Sequence, residues 1–137
     1  MATITSGLTI TGTGTTSDVL SIAKSAALTV ASPSVQVGTL KLTTAFATSI
    51  ADLNGTANTA DTYLYILNSS SGVETIELQT LATATCDAGS ATVTQSPGIN
   101  LKKGEFSFLP LKALAKIQFK GSAITAQLEY GYWSRSA

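Results

Sequence analysis

A chain of 137 residues, 44% of them hydrophobic, suits one domain with a real core and room for an arm or a small subdomain. Charged residues make up 12%, about half the usual share, and eight Lys/Arg cancel eight Asp/Glu. No positive excess is left for phosphate, which argues against nucleic acid as the main ligand. There is no histidine and one cysteine, Cys86. That excludes Ser-His and Cys-His nucleophiles, most zinc, iron and copper sites, and an intramolecular disulfide. Threonine is the commonest residue, ahead of Ala and Ser, and its branched Cβ favours a pleated, half-buried surface. A surface this poor in charge is more often covered by a partner than left in water.

Residues 1–37 hold no aromatic residue and only Asp18 and Lys24 as charges. Short apolar pairs recur there: Leu8 and Ile10, Leu20 and Ile22, Leu28 and Val30, Val35 and Val37. Each predicts a strand of four or five residues. Without large side chains the region buries too little to fold alone, so it is expected as an extended arm or set of short strands completing a neighbour's sheet. Ordinary edge strands of the same domain are the alternative. The N-terminus lacks a basic region and a long apolar run, and no stretch approaches a membrane span, so a signal peptide and a membrane helix are not expected.

From Thr39 onward, Leu40, Leu42, Phe46 and Ile50 at even positions predict a long strand; a short helix ending at Asn54-Gly55 competes with it. Residues 54–61 are a polar loop. Thr62–Asn68 is apolar on both faces and predicts a central strand. Ser69–Gly72 reads as a hairpin loop, with Val73–Gln79 returning and Ile76 and Leu78 inward. Residues 80–94 are small-residue strand material broken at Asp87–Ser90, and Ser96-Pro97-Gly98 is a turn. Lys103-Gly104 opens a strand over 105–110, closed by Pro110, which cannot join a central ladder. Leu111, Leu114 and Ile117 predict one helical turn starting at the proline. The strongest alternation comes last, with Ile124, Ala126, Leu128, Tyr130 and Tyr132 on one face. Phe106, Phe108, Ile117, Phe119, Leu128 and Tyr130 are expected to share one core. The chain thus divides into 1–37, a domain over 38–133 and a tail over 134–137. Regular short strands predict an all-β fold, a β-sandwich or jelly roll.

No catalytic, cofactor-binding or metal-ligating residue is assigned. Gly12-Thr13-Gly14 lacks the Lys of a phosphate loop, and Asp52-x-Asn54-Gly55 lacks the closing acid of a calcium loop. Glu74 and Glu77 fall on opposite faces of one predicted strand and are weak as a glycosidase pair. Cys86 reads as a small buried hydrophobe. Lys102, Lys103, Lys112, Lys116 and Lys120 form a late basic cluster, a docking patch for an acidic surface or, more simply, edge-guarding lysines. Tyr63, Tyr65, Tyr130, Tyr132 and Trp133 suit core and interface packing better than a sugar platform.

Tyr63-Leu64-Tyr65-Ile66-Leu67-Asn68, Ile99-Asn100-Leu101 with Gly104-Glu105-Phe106-Ser107-Phe108-Leu109-Pro110-Leu111, and Leu128-Glu129-Tyr130-Gly131 together resemble small structural proteins of tailed bacteriophages, of the capsid decoration or cement type. The resemblance spans about half the chain and does not reach its first third. It implies a non-enzymatic, homo-oligomeric cement protein on the outside of a phage head, bound to the major capsid protein. The charge-poor, Thr-rich surface separately predicts self-association, a trimer before a dimer. A tail or fibre component with a glycan-binding β module is the alternative.

Overall fold

The computed structural model describes residues 2–11, 21–30, 36–48, 50, 59–81, 98–113 and 116–134. Among the described residues there is no helix. The described residues form nine strands in order: β1 (Ala2–Thr11), β2 (Ser21–Val30), β3 (Gln36–Lys41), β4 (Thr62–Asn68), β5 (Ile76–Leu81), β6 (Ile99–Leu101), β7 (Phe106–Leu111), β8 (Lys116–Gly121) and β9 (Gln127–Ser134). They form three antiparallel sheets: the pair β1-β2, a four-stranded sheet β3-β9-β4-β7, and a three-stranded sheet β6-β5-β8. The all-β expectation is met.

The two larger sheets supply one core. Leu64 and Ile66 of β4, Leu111 of β7 and Leu128 of β9 meet Ile76 and Leu78 of β5, Leu101 of β6, and Ile117 and Phe119 of β8. Phe119, Leu64, Ile66, Ile76 and Leu128 are fully buried, each contributing about 1.5–3 kcal/mol relative to exposure. β4 lies between β9 and β7, the central place that its two apolar faces predict. Gly38 of β3 sits under Tyr130, whose hydroxyl would stand 2.6 Å from a Cβ there. At the start of β7, Gly104 has φ +78°, and Glu105 N donates to Lys102 O at 2.9 Å. The turn expected at Lys103-Gly104 is present, with the glycine at a positive φ.

One buried amide ties the layers together. Asn68 Nδ2 donates to Glu74 O at 2.8 Å and to Leu101 O at 2.9 Å, while its Oδ1 accepts from Ser70 N at 3.1 Å. Its own backbone N–H reaches Glu105 O, and its carbonyl accepts from Gly104 N. Asn68 thereby joins the end of β4, the crossover to β5, the end of β6 and the turn into β7.

Several expectations are corrected. Residues 69–72 are not a hairpin loop: β4 and β5 belong to different sheets, because Ile76 and Leu78 complete the opposite side of the core. The strand expected from Thr39 starts earlier, at Gln36, and stops at Lys41; Thr44–Ala47 bend, and Thr48 returns as a lone bridge to Phe119. Leu111 and Ile117 lie in β7 and β8 rather than in a helical turn. Ile124 is 75% exposed, since residues 122–125 turn before the alternation of β9 begins. Phe106 and Phe108 leave the shared core, whose β7 members are Leu111 and, at its margin, Leu109. The N-terminal strands are ten residues each, not four or five. Asp52–Gly55, Gly12–Gly14, Cys86 and the break at 87–90 fall outside the described residues.

Candidate functional site

The register of the four-stranded sheet sorts its side chains into two faces. Leu64, Ile66, Leu128, Tyr130, Tyr132 and Leu40 point to the core or its margin. Across the ladder, Tyr63 stands opposite Pro110 and Trp133, Tyr65 opposite Phe108 and Gly131, and Leu67 opposite Phe106 and Glu129. Directly paired residues share a face, so the outer face carries five aromatic residues. Their rings pack on one another. Tyr63 stacks on Phe108 at 5.6 Å and 13°, Phe108 tilts against Trp133 at 6.4 Å, and Tyr65 against Phe106 at 6.4 Å. Phe106 remains 63% exposed.

The five aromatic residues considered together from sequence are divided by the sheet. Tyr63, Tyr65 and Trp133 lie outside, joined by Phe106 and Phe108, while Tyr130 and Tyr132 stack on each other on the inner face, 6.4 Å apart. Sequence reasoning missed the two phenylalanines as outer residues. Leu109 and Leu111 at alternate positions were the signal that β7 turns its other face inward. Burial, and secondarily the charge of Glu129, raise the phenol pKa of Tyr65 above its ordinary value. Glu129, opposite Leu67, thus sets a carboxylate at the margin of the outer face.

The β1-β2 ribbon adds the second part. Its register sets Ile4 against Leu28, Leu8 against Lys24 and Ile10 against Ile22. Even-numbered positions thus form an apolar stripe, and odd-numbered ones a face of Thr, Ser, Ala and Gly. Val30 is buried, and Ile4 and Leu28 are partly so, but Leu8 is 49%, Ile10 39% and Ile22 38% exposed. The middle of the ribbon and β7 border one open cleft of about 470 Å³, lined by Ser6, Gly7, Leu8, Lys24, Ala26, Phe106 and Phe108 among others. The apolar stripe and the aromatic face meet here without filling the space between them.

The carboxylates are engaged separately. Glu77 pairs with Lys120 at 2.7 Å. Thr125 Oγ1 donates to Glu74 Oε1 at 2.6 Å, and this bond is the main reason the Glu74 carboxyl lies below its ordinary pKa. The late lysines spread over the β6–β7 turn, the β7–β8 connection and β8; Lys103 donates to Ser71 O, and Lys120 also lies 4.9 Å from the Phe46 ring centre. Among the described residues no group of three or more His, Cys, Asp or Glu is placed to hold a metal ion, and no helix is long and apolar enough to cross a membrane. No protein-family model matches the chain, nor does any curated protein or solved structure.

Proposed function

We propose that this chain is a non-enzymatic virion structural protein, a head decoration or cement subunit that binds the major capsid protein and stabilises the shell as a homo-oligomer, a trimer before a dimer. The carrying observation is the β1-β2 ribbon. A two-stranded sheet is marginal alone in water, and this one leaves Leu8, Ile10 and Ile22 exposed along one stripe. Such an element gains most by resting on another subunit.

Strand order supports a jelly-roll reading of the body. With the Thr48 segment taken as a strand beside β8, the sheets run β3-β9-β4-β7 and Thr48-β8-β5-β6. Eight strands numbered from β3 then change layers at every connection except β5 to β6, as two wrapped Greek keys do, an architecture that viral capsid and lectin domains share. Fold alone does not choose between those uses. Phe106, exposed in the open cleft beside Ser6 and Lys24 of the ribbon, favours the glycan-binding fibre reading. The ring-on-ring packing of the other aromatic residues favours assembly, because a sugar needs free ring faces.

The test adds full-length protein, and a form lacking residues 2–34, to undecorated heads and compares occupancy by sedimentation. Full-length protein is expected to bind and the truncated form to bind poorly. Equal occupancy removes the ribbon from the mechanism. Failure of both forms on heads, with binding to tails or to cell-surface glycan, decides for the fibre component.

A further inference from the structure

We infer that Val73 and Ile124, where β4 crosses to β5 and β8 turns into β9, form an apolar ridge that docks on an acidic surface of the shell protein, with Lys41, Lys102 and Lys103 around it. Among the described residues they are the most exposed large apolar side chains, at 95% and 75%. The two loops that carry them are locked together. Thr125 Oγ1 donates to Glu74 Oε1 at 2.6 Å, so each apolar residue immediately precedes one partner of that bond. Thr75 N donates to Ser122 Oγ, and Ser122 N to Thr75 O, both at 2.9 Å. Ala126 N closes a turn on Ala123 O at 3.0 Å, with Ile124 at its second position. The Glu74 carboxylate folds back over Gly72, where a Cβ would stand 2.6 Å from it, and Asn68 holds the Glu74 carbonyl. Two β-branched side chains on braced loops have little freedom left to lose, so a partner that buries them meets little ordering cost. Charge selects the partner. Lys41 pairs with Gln127 at the end of β3, Lys102 lies in the turn between β6 and β7, and Lys103 donates to Ser71 O of the crossover. None of the three makes an ion pair among the described residues. The two carboxylates in these loops already accept hydrogen bonds from the chain, Glu74 from Thr125 and Glu105 from Lys102 N at 2.8 Å. Aliphatic side chains rimmed by unpaired ammonium groups match an apolar hollow rimmed by carboxylates. A second copy in a two-fold contact would set lysines against lysines, a like-charge approach that disfavours it.

This inference rests on the proposed binding to heads and says which surface performs it; the experiment separates the two. Undecorated heads are titrated with the full-length parent, with a Val73→Ser/Ile124→Ser variant and with a Lys41→Gln/Lys102→Gln variant, and bound protein is measured by sedimentation at low and at high salt. The serine variant is expected to raise the half-saturating concentration about tenfold or more. Its melting is expected within a degree or two of the parent, because neither side chain belongs to the core. The glutamine variant is expected to bind more weakly at low salt and to lose part of the parent's salt dependence. Parental binding by the serine variant overturns the inference and leaves binding to heads standing through another surface. Unchanged salt dependence in the glutamine variant overturns the acidic partner. A parent that binds no heads overturns both readings. A parent heavier than the serine variant by light scattering means that the ridge joins copies of this chain, and overturns the inference too. So does binding of the parent, but not of the serine variant, to vesicles of mixed phosphatidylserine and phosphatidylcholine, which makes the ridge a lipid contact.

Discussion

The ribbon and the body follow the same period of two and put it to different ends. In the body the inward positions carry Leu, Ile and Phe, and a second sheet faces them, so the alternation becomes a closed core. In the ribbon the stripe of Ile4, Leu8, Ile10, Ile22 and Leu28 has comparable regularity, but no described sheet pairs with or closes over it as a core, and Leu8, Ile10 and Ile22 remain exposed. Alternation makes a strand in either case. Whether the strand belongs to its own chain depends on what stands across from it.

The contrast breaks most visibly at the centre of the body. Phe119→Ala is expected to cost about 3–5 kcal/mol, since the side chain is fully buried between the sheets. Chemical unfolding measures it, and a loss below about 1 kcal/mol, far under that core range, would contradict the placement. Asn68→Ala comes next. It strands Leu101 O, Glu74 O and Ser70 N, and a buried polar group left unpaired costs about 1–3 kcal/mol. Amide exchange at Ser70 is expected to accelerate in the same variant; unchanged exchange would mean that the amide does not hold the crossover.

The outer face sharpens the comparison with smaller effects. Phe108→Ala loses its stacking on Tyr63 and its contact with Trp133, worth about 0.5–1.5 kcal/mol each beyond area. Phe106→Ala, largely exposed, is expected to melt within a degree or two of the parent. If Phe106 proved the costlier of the two, the packing of Phe108 on Tyr63 and Trp133 would not be what holds this face. The smallest effect is electrostatic. The Glu74 carboxyl lies below its ordinary value in the folded chain, so its contribution is complete above the ordinary carboxylate range and is lost as pH falls through the lowered value. Thr125→Val removes the main cause. The stability gap between parent and variant is expected to narrow from pH 7 to pH 3, and a gap that widens on acidification would contradict the linkage.

The sequence makes β4, the turn at Lys103-Gly104 and the inward set of β9 legible, because large apolar residues alternate there between strong punctuation. β7 misleads for the opposite reason. Phe106, Phe108, Leu109 and Leu111 are apolar on both faces, and side-chain size pointed to the wrong one. A short polar loop such as Ser69–Gly72 looks the same whether the chain folds back or changes layer; only the later pairing of β5 with β8 decides. In the ribbon the Ala, Ser and Lys between the apolar pairs hid the continuity of two ten-residue strands. The aromatic outer face combines residues from β4, β7 and β9, and its register is a long-range fact that local pattern does not carry.

β9 also governs the order of events during synthesis. It lies between β3 and β4, with Tyr132 against both Gln36 and Leu64. Until residues 127–134 have left the ribosome, β3 and β4 have no common neighbour, and the core lacks Leu128 and the margin that Tyr130 and Tyr132 supply. The ribbon needs only residues 2–30 and pairs early, as local contacts do. Nascent chains therefore display this apolar stripe while their own bodies are still open.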